Sequence, residues 1–153
     1  MIVVSDTSPL TALLAIGQAD LLSRLFGDVI IPQAVEIELR RNHPKLPPWI
    51  RVERVKDSAK AKQYATIVDY GEAEAIALAE ELKPDHLLID ECKGRRLAQE
   101  RGLPVLGLLG VVLIAKRAGL ITSARKLVEE LHQKAGVYLS EDVKNAALKT
   151  VGE

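Results

Sequence analysis

Aromatic side chains are almost missing from this chain: they make up 3% of its residues, while hydrophobic residues as a whole make up 48%. A core built nearly without rings must be filled by Leu, Ile, Val and Ala. That composition suits layered helix and parallel sheet better than an all-β sandwich. Cysteine is scarce as well. Cys92 stands alone, which rules out an internal disulfide and any cysteine-rich zinc site. Net charge is also lacking, since Lys plus Arg is 21 and Asp plus Glu is 21. A broadly basic nucleic-acid binder is thereby excluded, although an acidic site loaded with cations can still meet a phosphate. No apolar run approaches the roughly 18 residues of a membrane span, and the opening MIVVSDTSPL carries no basic leader. A cytoplasmic protein with no membrane association is expected. The chain also shows no linker, repeat or Ser-rich tract, so residues 1–153 read as one domain. The absence of a G-x-G-x-x-G after the first apolar run argues against a dinucleotide enzyme.

What is present is an alternation of strands and helices. Ile2 to Ser5 is a β-branched run too short for a helix. Ser8-Pro9 reads as a helix start, with Ser8 as N-cap, leading into a helix over Leu10 to Ile16. A short helix over Ala19 to Phe26 and a strand over Val29 to Ile31 follow, and Pro32 opens a helix that reaches Arg41. Beyond a proline-rich loop, Arg51 to Val55 alternates as an edge strand and Ser58 to Val68 reads as helix. Gly71 precedes a helix over Glu72 to Leu82, and His86 to Ile89 is a buried strand. Lys93 to Arg101 is helix and Pro104 to Leu106 a last strand. Three more helices fill the remainder, over Leu108 to Ala118, Ser123 to Lys134 and Ser140 to Leu148. Strands alternating with helices imply a parallel sheet covered on both faces, a three-layer α/β/α architecture.

Two acids occupy equivalent places in this pattern. Asp6 follows the first strand and Asp90 follows the run His86-Leu87-Leu88-Ile89. In an open parallel sheet the carboxyl ends of the strands are where ligands bind. One such acid could simply start a turn or cap a helix; two in equivalent positions point to a site. Glu72, Ala75, Ile76, Ala79 and Leu82 form one helical stripe, which places Glu72 at the head of a core-facing line. Glu74 lies about 200° away around the same helix, so both acids cannot face inward. A first-turn acid also favours the positive helix N-terminus, but that does not explain its place on the apolar stripe. On the helix after Pro32, Val35, Glu38 and Leu39 share a face, while Glu36 lies on the side of Arg40. Converging carboxylates need a cation, because two unit charges about 4 Å apart repel by roughly 4 kcal/mol at an effective dielectric of 20. An all-oxygen donor set favours Mg²⁺ or Mn²⁺ over zinc.

Four segments, in order, carry a resemblance. VVSDTSPL is similar to the first motif of PIN domains, PQAVEIEL to the second, GEAEAIALA to the third and LLIDE to the fourth. The match runs through about Gly119, leaving 120–153 as a helical C-terminal part, and GRRLAQERGLPVLGLLGVV resembles the continuation found in a prokaryotic subfamily related to VapC-type toxins. The resemblance implies a PIN-like α/β/α fold and a metal-dependent endoribonuclease that hydrolyses RNA phosphodiesters to 5′-phosphate and 3′-hydroxyl ends. Asp6, Glu38, Glu72 and Asp90 would hold one or two Mg²⁺ or Mn²⁺ ions. Ser8 matches a hydroxyl that assists water in the family, and Arg95 an arginine at the start of the helix after the fourth strand. Toxin–antitoxin membership follows from the same analogy, with a small antitoxin as partner and a homodimer as assembly. The sequence departs from the family at Glu72, where many members have Asp, and at Glu91, where a further Asp is common. Glu91 either assists the metal or pairs with Arg95 one helical turn on. A non-catalytic PIN-like module that holds RNA or a protein is the alternative.

Overall fold

The computed structural model describes residues 1–153. Its five strands are β1 (Val3–Ser5), β2 (Val29–Ile31), β3 (Ile50–Val52), β4 (His86–Leu88) and β5 (Val105–Leu106). They form one parallel sheet in the order β3-β2-β1-β4-β5. The connecting helices are α1 (Thr7–Ala15), α2 (Asp20–Phe26), α3 (Gln33–Arg40), α4 (Ser58–Tyr64), α5 (Tyr70–Leu82) and α6 (Cys92–Glu100). Three helices close the chain: α7 (Leu108–Arg117), α8 (Ala124–Ala135) and α9 (Glu141–Lys149). This is the expected three-layer α/β/α arrangement.

Strand alternation builds the layers. Val3 and Val4 are both fully buried but belong to different apolar clusters, because successive side chains leave a strand on opposite faces. Val3 and Leu88 join Leu10, Leu13 and Leu22 of α1 and α2 with Val112 of α7 and Leu131 of α8. Val4, Leu87 and Ile89 join Ala75, Ile76 and Ala79 of α5 with Leu97 of α6. Small alanines on α5 let this helix lie close to the sheet. Leu148 of α9 is also fully buried in the first cluster, so the C-terminal helices share the core of the motif-bearing part.

Most element ends fall within a residue or two of the sequence expectation, and three departures have a physical reason or are larger. The first helix begins at Thr7 with Asp6, not Ser8, in the N-cap position, so Ser8 and Pro9 lie inside the first turn. Proline is tolerated there because first-turn N–H groups have no partner within the helix. The edge strand is Ile50–Val52, starting one residue before the expected Arg51 and ending three before Val55, which is buried from the loop after it. Helix α4 stops at Tyr64. The alternation of Arg51 to Val55 continues past the last ladder bond, made by the Glu53 N–H to the Ile31 carbonyl at 2.9 Å.

The chain leaves β1 toward β2 and β3, then returns through α4 and α5 to lay β4 on the other side of β1. The direction of winding therefore reverses between β1 and β4, which opens a crevice at their carboxyl ends. Register is fixed there, with Ser5 opposite Leu88 and the Asp6 N–H donating to the Leu88 carbonyl at 2.9 Å.

Candidate active site

Asp6 and Asp90 flank that crevice. Asp6 is 3% exposed, set between the end of β1 and the first turn of α1. Its side chain makes no capping bond within α1. Asp90 is half-buried, and its Oδ1 accepts the Leu108 N–H at 2.9 Å, which caps α7 where Gly107 offers no side chain. Gly107 also lets the two groups approach: a methyl there would stand 3.0 Å from Asp90 Oδ1 and 2.5 Å from Arg95 Nη1.

Glu38 reaches the crevice from α3. Its Oε2 accepts the Thr7 hydroxyl at 2.6 Å, and a methyl at Gly71 would come within 2.6 Å of its Oε1. Glu36 turns away to pair with Arg40 at 3.1 Å. Glu72 enters from the first turn of α5 and is 3% exposed. Its Oε2 is buried with no hydrogen-bond partner. Glu74, two residues on, instead accepts the Ala34 N–H at 2.9 Å and caps α3 behind Pro32. The helical stripe thus separates the two glutamates as expected.

Electrostatics ties the acids together. Burial, opposed by the Thr7 N–H and reinforced by the charges of Asp69, Glu38 and Asp90, pushes Asp6 up to about 7. Glu72 is held well above the usual carboxylate range by burial first, then by Asp69 and Asp6. Burial also raises Asp90, against the Leu108 N–H and the Arg95 guanidinium, which favour its charged form. Each perturbed acid thus feels another one, and perturbed groups gathered in a cleft mark functional sites. No three His, Cys, Asp or Glu side chains form a ready-made cation cage.

A cleft of about 870 Å³ opens over the site, lined at its polar end by Thr7, Ser8, Glu38, Asp90, Glu91 and Arg95. Ser8 is exposed there, and Arg95 is half-buried facing Asp90. Glu91 is the N-cap residue of α6 without a side-chain capping bond, and it forms no ion pair with Arg95 within 4.0 Å. Sequence reasoning misses two residues of this cluster. Thr7 supplies the hydroxyl that grips Glu38, whereas the family-like hydroxyl is that of Ser8. Asp69 caps α5 through the Glu72 N–H at 2.8 Å. Its signal is the capping spacing Asp69-x-x-Glu72.

The arrangement suits a hard divalent ion. All donors are oxygens, and one of them, Glu72 Oε2, is buried and unsatisfied. A PIN domain family model, DUF3368, matches residues 2–153. The chain belongs to that family. No curated protein and no solved structure matches it significantly. PIN domains are generally nucleases and typically use divalent metal ions. In this PIN domain no helix is long and apolar enough to cross a membrane.

Gly94 gives a direct check on the Glu72 pocket. A methyl at Gly94 would collide with Glu72 Oε2 and stand 2.7 Å from Ile89 Cδ1. Gly94→Ala is expected to push the Glu72 carboxylate out of place and weaken Mn²⁺ binding by about tenfold, roughly 1.4 kcal/mol. Calorimetric titration reads this, and an unchanged affinity in a folded variant would show that Glu72 is not at the ion.

Proposed function

We propose that this PIN domain is a metal-dependent endoribonuclease. The observation that carries the reading is the buried, unpartnered Glu72 Oε2 beside the buried Asp6 at the switch point of the sheet. Asp6, Glu38, Glu72 and Asp90 would hold Mg²⁺ or Mn²⁺. Such an ion, when bound, activates water and offsets charge developing on a phosphodiester. The chain's own groups have separate tasks. Thr7 fixes the Glu38 carboxylate, the Leu108 N–H fixes Asp90, and Arg95 at the cleft edge is available to a phosphate oxygen. Ser8 and Glu91, exposed on the same cleft wall as Glu38 and Asp90, would support the site, Ser8 toward water at the ion and Glu91 beside Asp90, whose carboxyl feels its charge.

RNA is the substrate of this reading, and the likeness to VapC-type toxins extends it to a toxin paired with a small antitoxin. A homodimer and a cytoplasmic location belong to the same proposal. The test is incubation of the purified chain with a broad RNA pool in Mn²⁺ or Mg²⁺, with EDTA as the stop. Cleavage with 5′-phosphate ends, abolished by EDTA, supports it. RNA held but not cut with either ion would leave a non-catalytic binding module as the function.

A further inference from the structure

The head of α5 carries a fifth acid outside the proposed ligand set. Asp69 is exposed, directly before α5, while Glu72 in the first turn is buried. Asp69 Oδ1 accepts the Glu72 N–H at 2.8 Å, which holds its carboxylate over the helix end. Capping requires a single oxygen, and Asn or Ser supplies it as well as Asp does. The carboxylate brings a negative charge in addition, beside the buried Glu72 carboxyl, whose Oε2 is unsatisfied. Glu72 is 3% exposed, and its Oε2 has neither a donor nor water access. Of the acid charges bearing on Asp6, that of Asp69 is the largest. Glu72 Oε2 lies where a Cβ at Gly94 would stand, so the missing side chain of Gly94 lets the carboxylate take this place.

We propose that Asp69 is a positioning residue for a divalent cation: pinned by the Glu72 main chain, its carboxylate sets how strongly the Glu72–Asp6 pair draws the ion. The inference rests on the metal site of the nuclease reading. It assigns to Asp69 a part in affinity, beyond stabilising the helix. A unit charge about 6 Å from a divalent ion shifts its affinity by roughly tenfold at the dielectric of water and low salt.

The experiment compares wild type, Asp69→Asn and Asp69→Ala as full-length chains. Mn²⁺ affinity is read by electron paramagnetic resonance, and stability by thermal melting without metal. Asp69→Asn keeps the capping oxygen and removes the charge; Asp69→Ala removes both. Both variants are expected to bind Mn²⁺ about tenfold more weakly or worse. Only Asp69→Ala should melt lower without metal, by a few degrees, as loss of a cap requires. An Asp69→Asn chain that binds Mn²⁺ like wild type makes Asp69 a helix cap and nothing more, and overturns the proposal. A wild-type chain that binds no Mn²⁺ overturns it together with the metal site. A wild-type chain that binds Mn²⁺ with the expected loss in Asp69→Asn, yet cuts no RNA, sinks the nuclease reading and leaves this one standing.

Discussion

Asp6→Asn and Asp90→Asn are each expected to slow RNA cleavage by about a hundredfold or more, roughly 3 kcal/mol, while changing RNA binding only a few-fold. The two acids sit where the winding of the sheet reverses, one buried at the end of β1 and one against the first turn of α7. In the proposed nuclease their part would lie in holding the ion whose charge matters most in the transition state, so their loss would fall on the rate constant rather than on binding. Asn is nearly the same size and accepts the same hydrogen bonds, so the Leu108 N–H keeps a partner in Asp90→Asn. Arg95→Ala should behave differently. If its guanidinium grips phosphate, binding weakens while Mn²⁺ affinity stays, and the salt dependence of binding becomes shallower as one phosphate contact is lost. Glu74→Gln is the internal control, because its remaining oxygen still caps α3 at the Ala34 N–H. It should cut within a few-fold of wild type. Should Asp6→Asn cut as fast as wild type, the activity belongs to another site or to a contaminant.

How much of this the sequence announces depends on the range of the interaction that decides each feature. Every strand and helix is legible, since period and length are local properties: Val29–Ile31 stands where β-branching puts it, and the alanine-rich stripe locates α5, whose end at Leu82 is as expected and whose start at Tyr70 is two residues earlier. Glu72 and Glu74 can also be told apart, because about 200° of helical rotation is a local fact. The start of α1 is misread from Ser8-Pro9. Asp6 takes the N-cap geometry without using its side chain to cap, and the residue-type preference cannot show that. Thr7 and Asp69 escape for another reason. Thr7 matters through a bond to Glu38 across 31 positions, and that pairing exists only once α3 is laid beside α1. Asp69 has a local signal in its spacing from Glu72, but its charge matters only beside Asp6, which the pairing of β1 with β4 brings near. The glycines opposite the acids are likewise silent. Gly71, Gly94 and Gly107 take ordinary backbone angles, and each is needed because a charged side chain from another element, Glu38, Glu72 and Arg95 respectively, occupies the space of its missing Cβ.

The metal-free protein is expected to melt several degrees lower at pH 8 than at pH 5.5, and Mn²⁺ is expected to offset most of that difference. Asp6 titrates near 7 in the folded chain against 3.8 for the free side chain. Between those values the folded state holds a proton that the unfolded state has released. Stability that depends on that proton is complete below about 4 and is lost as pH rises through about 7. The full linkage for Asp6 is on the order of 4 kcal/mol at most, because a tenfold change in proton affinity is worth about 1.4 kcal/mol. With about 2–4 °C of melting temperature for each kcal/mol in a chain of this size, the change is easily read. Glu72 and Asp90 are raised as well, so they push the same way. Glu153 and Glu80 are lowered, and they act below the window compared here. Asp6→Asn removes one of the two large contributions, that of Glu72 being the other, and should melt higher than wild type at pH 8 without metal, with a flatter pH profile. An ion binds only the charged carboxylates, so its hold tightens as the protons leave. At about a hundred times its dissociation constant Mn²⁺ adds roughly 2.7 kcal/mol, enough to offset most of the loss at pH 8. Differential scanning of wild type and Asp6→Asn at the two pH values, with and without Mn²⁺, gives eight melting temperatures. A wild-type profile that is flat without metal, or a response to Mn²⁺ equal at both pH values, would mean that the acids at β1 and β4 carry no buried charge for an ion to neutralise.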